Sequence, residues 1–295
     1  MSYRIRPKDP DMSATLRRIA EDRLNRAIEA TKAETAETRM PAVHDIRKRL
    51  KEMRALLRLV RPDFDDFKQV DRALRDIGRE LSALRDINVR CDTLGHLADY
   101  VDLPDDPLAP YLAELTRSRD TAYGPASDSL LATTRTALIA MRDASAHWRL
   151  RHNGRKAIFP GLSGTYADAR EAMGRARETR APEDFHEWRK HVKYHFYHAQ
   201  ILSPIWPEAM EPHIAAAEAL GELLGQHHDL IVLGEEARAA GLPAAPLAVL
   251  EAGLHDRITA LEKQAFLDGA RLLADSPEAL SRRWSVWYRL WRHAN

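Results

Sequence analysis

Apolar residues along this chain recur at the three- and four-residue steps of an α-helix. Leu16, Ile19, Ala20, Leu24 and Ile28 mark one face of a charged amphipathic helix from about Ser13 to Lys32. Pro41 is expected to open the next helix, which runs to about Val60 and breaks at Arg61-Pro62-Asp63. A longer helical stretch follows from about Asp65 to Tyr100, with Gly78 or Gly95 as the expected interruption. Leu103-Pro104-Asp105-Asp106-Pro107 reads as a loop, and the run from about Pro110 to Arg151 has a break at Tyr123-Gly124-Pro125. It ends at Asn153-Gly154, a strong turn signal. Lys156 to Gly164, containing Phe159-Pro160-Gly161, reads as the join between two halves, 1–155 and 156–295. Helices then resume at about Tyr166, Pro182, Glu208 and Pro246, so the expected class is all-α.

The same patterning exposes an internal repeat. Val43-His44-Asp45-Ile46-Arg47-Lys48-Arg49-Leu50-Lys51 and Phe185-His186-Glu187-Trp188-Arg189-Lys190-His191-Val192-Lys193 both read apolar, His, acid, apolar, Arg, Lys, variable, apolar, Lys. Downstream, Leu84-Arg85-Asp86-Ile87-Asn88-Val89 corresponds to His227-His228-Asp229-Leu230-Ile231-Val232. The separation from His44 to His186 differs by a single residue from that between Asp86 and Asp229.

At 100° per residue, Val43, Ile46, Leu50, Met53, Leu57 and Val60 form one apolar stripe that faces a bundle core. His44, Arg47, Lys48, Lys51, Arg54 and Arg58 fall on a separate arc of roughly 120°. No carboxylate of the same helix interrupts that arc, although like charges four residues apart oppose helix formation. In the second copy Phe185, Trp188, Val192, His195, Ala199 and Leu202 continue the apolar register, and His186, Arg189, Lys190 and Lys193 the basic one. Phe196 and Gln200 stand where the first copy has Arg54 and Arg58, so the second half is expected to grip an anion less firmly. Guanidinium offers phosphate a planar fork, ammonium a compact charge, and imidazole a titratable donor.

Composition narrows the partner. The 45 Lys and Arg residues nearly balance 44 Asp and Glu, so local segregation of charge and not net charge must carry any binding. The single cysteine, Cys91, leaves no intramolecular disulfide or Cys-rich zinc site and fits a small buried side chain in a reducing compartment. The N-terminal residues lack the apolar core of a secretory signal, and no window approaches the ~20 apolar residues of a membrane span. A cytoplasmic protein with no membrane partner is therefore expected.

On its two motifs the chain resembles the CHAD family, the conserved histidine α-helical domain. That family's pattern is a His-x-x-Arg-Lys-x-x-Lys helix followed by a Leu-x-x-x-x-Asp block, given twice; here the blocks run from Leu81 to Asp86 and from Leu224 to Asp229. The resemblance extends from about Ser2 to Arg292, and Leu162 to Arg170 is similar to the segment that opens the family's second half. It implies two four-helix bundles related by a pseudo-twofold axis, together one domain with a basic central cavity. It also implies binding of inorganic polyphosphate and association with polyphosphate granules. The residues it transfers are His44, Arg47, Lys48 and Lys51, extended by Arg54 and Arg58, and His186, Arg189, Lys190 and Lys193. Asp86 and Asp229 match its acidic positions and are expected to orient neighbouring cations, because a carboxylate repels phosphate.

Other readings make distinct demands. A metal-dependent phosphohydrolase would draw on His191, His195 and His198, which share a helix face, and on His227-His228-Asp229. His195 also lies on the apolar stripe, however, and the first half has no matching cluster. A histidine phosphotransfer module would use His44 beside Lys48, but needs only one bundle. A nucleic-acid or other polyanion binder is disfavoured by the near-neutral net charge and the absence of a reading motif. There is no Gly-rich phosphate loop, nucleophile elbow or carboxylate cluster suited to magnesium, so neither a catalytic residue, a resident metal nor a cofactor is assigned. Trp284, Trp287, Tyr288 and Trp291 are spaced for helix packing, and Arg282, Arg283, Arg289 and Arg292 around them form a secondary basic patch.

Overall fold

The computed structural model describes residues 3–101, 107–125 and 127–294. Ser2 and the loop read at Leu103 to Asp106 lie outside them. Among the described residues there are eleven α-helices and no strand. The first half carries α1 (Met12–Ala30), α2 (Ala36–Leu59), α3 (Phe67–Glu80), α4 (Ser82–Val101), α5 (Ala109–Ala122) and α6 (Ser127–Ser145). The second carries α7 (Arg155–Thr179), α8 (Pro182–Leu202), α9 (Pro207–Ala239), α10 (Ala244–Leu272) and α11 (Pro277–Ala294).

Three boundaries differ from the sequence expectation, and the simplest is α6, which ends at Ser145 and not at Arg151. Pro41 does not open α2. A capping box between Thr35 and Thr38 starts the helix earlier and places Pro41 inside it, where the ring removes one backbone donor from the second turn. Phe159-Pro160-Gly161 is likewise not a linker, because α7 begins at Arg155 and runs through it. Gly161 serves packing instead of turning: a methyl group there would overlap the carbonyl of Leu59 at the end of α2. The first and second halves thus meet backbone to backbone at this point.

The α2 stripe is buried as expected, with Val43, Ile46, Leu50, Met53 and Leu57 at 3 % exposure or less. Full burial of such side chains contributes about 1.5–3 kcal/mol each. This core is shared between the halves, running from Ile19 and Leu24 of α1 through Leu162 and Tyr166 of α7 to Trp188 of α8 and Trp284 of α11. A second core joins Cys91, Leu94 and Leu97 of α4 and Leu115 of α5 to Leu233 of α9 and Leu250 and Leu254 of α10. On α11, Trp284 and Tyr288 are buried while Trp287 and Trp291 are only partly covered. α2 packs against α7 and α8, and α4 packs against α9, so both repeated motifs meet their counterparts across the middle of the molecule. No helix among the described residues is long and apolar enough to cross a membrane.

Candidate functional site: basic ridges on the repeated helices

Burying the apolar stripes of α2 and α8 turns their basic arcs toward α4 and α9. On α2, His44, Lys48 and Lys51 are exposed and Arg47 is partly covered. Off this arc, Arg49 donates to Asp45 (2.6 Å) and Glu52 (2.9 Å) on the side facing α1, which explains its separation from the ridge. Arg47 donates to the Gly78 carbonyl at the end of α3 (2.6 Å) and to the Ser82 hydroxyl (3.3 Å). It closes a helix C-terminus, where a cation and spare carbonyls favour each other.

Lys51 stands where the two ridges converge. Its side chain reaches solvent, yet protein crowds it enough that lost hydration pushes its pKa down to about 7, aided by repulsion from Arg189, Arg85, Arg47 and Lys193. His44 is held below the usual imidazole range first by burial and then by Lys51, Lys48 and Arg85, with Asp45 opposing. Among the described residues, His44, Lys48 and Lys51 have no side-chain hydrogen-bond or ion-pair partner.

The second ridge is more heavily engaged. Lys190 pairs with Glu187, and Lys193 with Glu222 at 3.2 Å. His186 Nδ1 lies 3.3 Å from Nδ1 of His228, and one ring must carry the shared proton. Burial lowers the pKa of both, that of His228 to about 4, with His186, Arg189 and Arg85 adding repulsion. Arg189 is held below the usual guanidinium range by burial, opposed mainly by Asp229. Lys193 and Arg189 lie across α9 where Gly221 and Gly225 leave room. A Cβ on Gly221 would stand 2.9 Å from Lys193 Cδ, and one on Gly225 would stand 3.5 Å from Arg189 Nε.

Between the ridges, Arg85 of α4 bonds both repeated acids, Asp86 at 3.1 Å and Asp229 at 3.3 Å. One guanidinium therefore ties the acidic blocks of the two halves together. Sequence reasoning left Arg85 out of the site; its signal was a basic residue directly before the repeated acid. It also left out His228, Gly221 and Gly225, the last two legible only as glycines one turn apart inside a long helix.

Arg54 and Arg58 do not extend the open ridge. Asp71 on α3 takes Arg54 at 2.8 Å and Arg58 at 3.4 Å, and Arg58 also lies over the Tyr194 ring at 4.4 Å. Periodicity within α2 could not reveal a carboxylate supplied by another helix. The three helix-sharing histidines part company too. His191 lies 3.6 Å from Asp168, His195 shares a 2.7 Å hydrogen bond with His213, and His198 donates to the Ala55 carbonyl at 2.8 Å. No group of three His, Cys, Asp or Glu residues among those described is arranged to hold a metal ion. A cavity of about 640 Å³ adjoins Asp229, but its other lining residues, among them His96, Tyr100 and Arg257, belong to neither basic ridge.

The cations of α2, α4 and α8, open on α2 and partly engaged on the other two, are of a kind suited to a multiply charged oxyanion. The family model described as CHAD domain matches residues 8–238. No curated protein matches the chain. Among solved structures, PptA from Streptomyces chartreusis aligns with a TM-score of 0.59 at 15 % identity, over 89 % of this chain and 99 % of that one.

Proposed function

The chain belongs to the CHAD domain family, and from that premise we propose that it binds inorganic polyphosphate in the crevice between α2 and α8. The observation that carries the reading is Lys51, an accessible amine without an ion-pair partner among the described residues, close to Arg189 and Lys193 of the other half and to Arg85. A bound polyanion relieves the mutual repulsion of these groups and releases its own counterions. His44 and Lys48 extend the anion's path along α2, and His186 and Lys190 along α8. Asp86 and Asp229 fix Arg85 and stay clear of the phosphates. The two halves act as related jaws of one domain, and the protein associates with polyphosphate granules without carrying out a reaction.

The test is titration with long-chain polyphosphate, comparing wild type with the double variant Lys51→Glu, Lys190→Glu at matched helicity by circular dichroism. The reading predicts loss of at least about a hundred-fold in affinity and weaker binding as salt rises. Equal affinity in the variant would overturn it. RNA and DNA competitors, together with a phosphate-release assay, separate polyphosphate binding from general polyanion binding and from hydrolysis.

A further inference from the structure

A second strongly basic face lies away from the crevice, at the opposite end of the α7–α8 pair. The segment His147-Trp148-Arg149-Leu150-Arg151-His152-Asn153-Gly154-Arg155-Lys156 contains no acid. Its extended part alternates: Trp148 packs on Phe64 with centroids 5.4 Å apart, while His147, Arg149 and Arg151 are exposed. The backbone amides of Leu150 and Arg151 are fixed to Ser13 Oγ (2.9 Å) and the Asp63 carbonyl (3.2 Å), which locks the outward register. On α11, burial of Trp284 and Tyr288 sends Arg282, Arg289, Arg292 and His293 outward beside this segment.

Two adjoining depressions of about 670 and 350 Å³ share Asn153 and Arg155 and take in Lys156, Arg282, Arg289, Arg292 and His293. Some cations here are spent: Arg151 pairs with Asp65 at 3.3 Å, and Arg292 bonds the Pro7 carbonyl at 3.0 Å. Arg149, Lys156, Arg282 and Arg289 have no ion-pair partner among the described residues. Glu278 lines one end of the groove, and Asp11 nearby caps α1 through the Ala14 amide (2.7 Å). The exposed apolar residues Val286 and Leu290 lie on another arc of α11, outside the groove. Unneutralised cations in series, with hydroxyls from Ser281 and Ser285 between them, fit a linear oxyanion chain better than an apolar partner.

We propose that this face, built from residues 147–156 and α11, is a second track for linear polyphosphate. For its ligand, the inference rests on the function proposed above. Along α7, Arg155 lies 13 residues, about 20 Å, from Asp168, which meets His191 beside Lys190 and Lys193, so only a polymer longer than that span can occupy both places at once. Joining two sites through one polymer raises avidity without new contacts.

The experiment titrates short-chain and long-chain polyphosphate into the full chain and two variants: Arg155→Glu with Arg289→Glu on the face, and Lys51→Glu with Lys190→Glu in the crevice. Both face positions are exposed, and circular dichroism checks the fold. The face variant should lose about ten-fold in long-chain affinity, show a shallower salt dependence, and keep short-chain affinity within about two-fold. Unchanged long-chain binding in the face variant overturns the second track, whatever the crevice variant does. A crevice variant that binds normally while the face variant fails instead removes the crevice assignment and leaves the track standing. Preference of the face for single-stranded nucleic acid over polyphosphate in direct competition overturns the assigned ligand.

Discussion

In α2, His44, Lys48 and Lys51 stand open, whereas in α8 Lys190 is tied to Glu187, Lys193 to Glu222, and His186 faces His228. The two helices carry the same basic pattern and use it differently. Arginine in the first copy does structural work, Arg47 on the end of α3 and Arg54 and Arg58 on Asp71, which leaves its lysines free. In the second copy the lysines are partnered and Arg189 lies partly covered against glycine-lined α9. A repeated motif therefore fixes which side chains share the basic arc, while neighbouring helices decide how much of their charge remains available to a ligand.

The sharpest way to break this contrast is to reverse one lysine at a time. Lys51→Glu should weaken long-chain polyphosphate binding about a hundred-fold and Lys193→Glu only about ten-fold, because Lys193 already shares its charge with Glu222. Equal losses in parallel titrations would mean that the partners of the second ridge let go at no cost. The pH dependence adds a second test. With its free-state pKa near 7, Lys51 takes up a proton when an anion binds, since the anion favours the charged amine. Affinity should therefore fall as pH rises through and above about 7, by at most about ten-fold per unit for one linked proton. Lys51→Arg should flatten that profile. The charged groups that crowd Lys51 are Arg47 on α2, Arg85 on α4, and Arg189 and Lys193 on α8, and Lys51 in turn lowers the pKa of His44. The free protein should respond in the opposite sense. Its unfolded chain holds more protons than the folded one between about pH 7 and the ordinary lysine pKa, so folding stability should rise with pH across that window.

Much of this arrangement was legible before any coordinates. Helical periodicity placed Val43, Ile46, Leu50, Met53 and Leu57 in the core and the basic arc away from it, because one helix determines which of its own residues share a face. Periodicity is silent about what other helices bring. Asp71 and Glu222 each come from a different helix than the group they bind, and Arg85 reaches across to Asp229 on α9, so their effect on the ridges depends on tertiary packing. Local signals misled in two places. Proline and glycine at residues 159–161 resemble a turn, but close approach of α7 to Leu59 accounts for the glycine within a helix. Pro41 resembles a helix start, but the Thr35 capping box already supplies one.

A smaller effect tests whether Asp71 withholds charge from the first ridge. Asp71→Asn removes the carboxylate that holds Arg54 and Arg58, whose side chains are only 21 % and 18 % exposed. The variant should bind polyphosphate about three- to five-fold more tightly, as two guanidiniums lose their competing anion. It should also unfold more easily, by about 1–3 kcal/mol, because a bidentate charge pair is lost from a partly covered site. Denaturant unfolding and titration read the two effects separately. Unchanged affinity would show that Asp71 does not withhold these arginines from the ligand.

The smallest expected change probes the second ridge through its floor. Gly221→Ala puts a methyl group 2.9 Å from both Cδ and Cε of Lys193. These atoms belong to a flexible side chain, so the clash is relieved by swinging the ammonium away from Glu222, and alanine favours the helix by about 1 kcal/mol over glycine. Stability should accordingly change by less than about 1 kcal/mol in either direction. Polyphosphate affinity should change by no more than about two-fold, because moving an already partnered lysine redistributes little free charge. If Gly221→Ala instead weakened binding as strongly as Lys51→Glu, the placement of Lys193 on α9 would matter as much as the open lysines of α2, and the two ridges would have to be treated as equals.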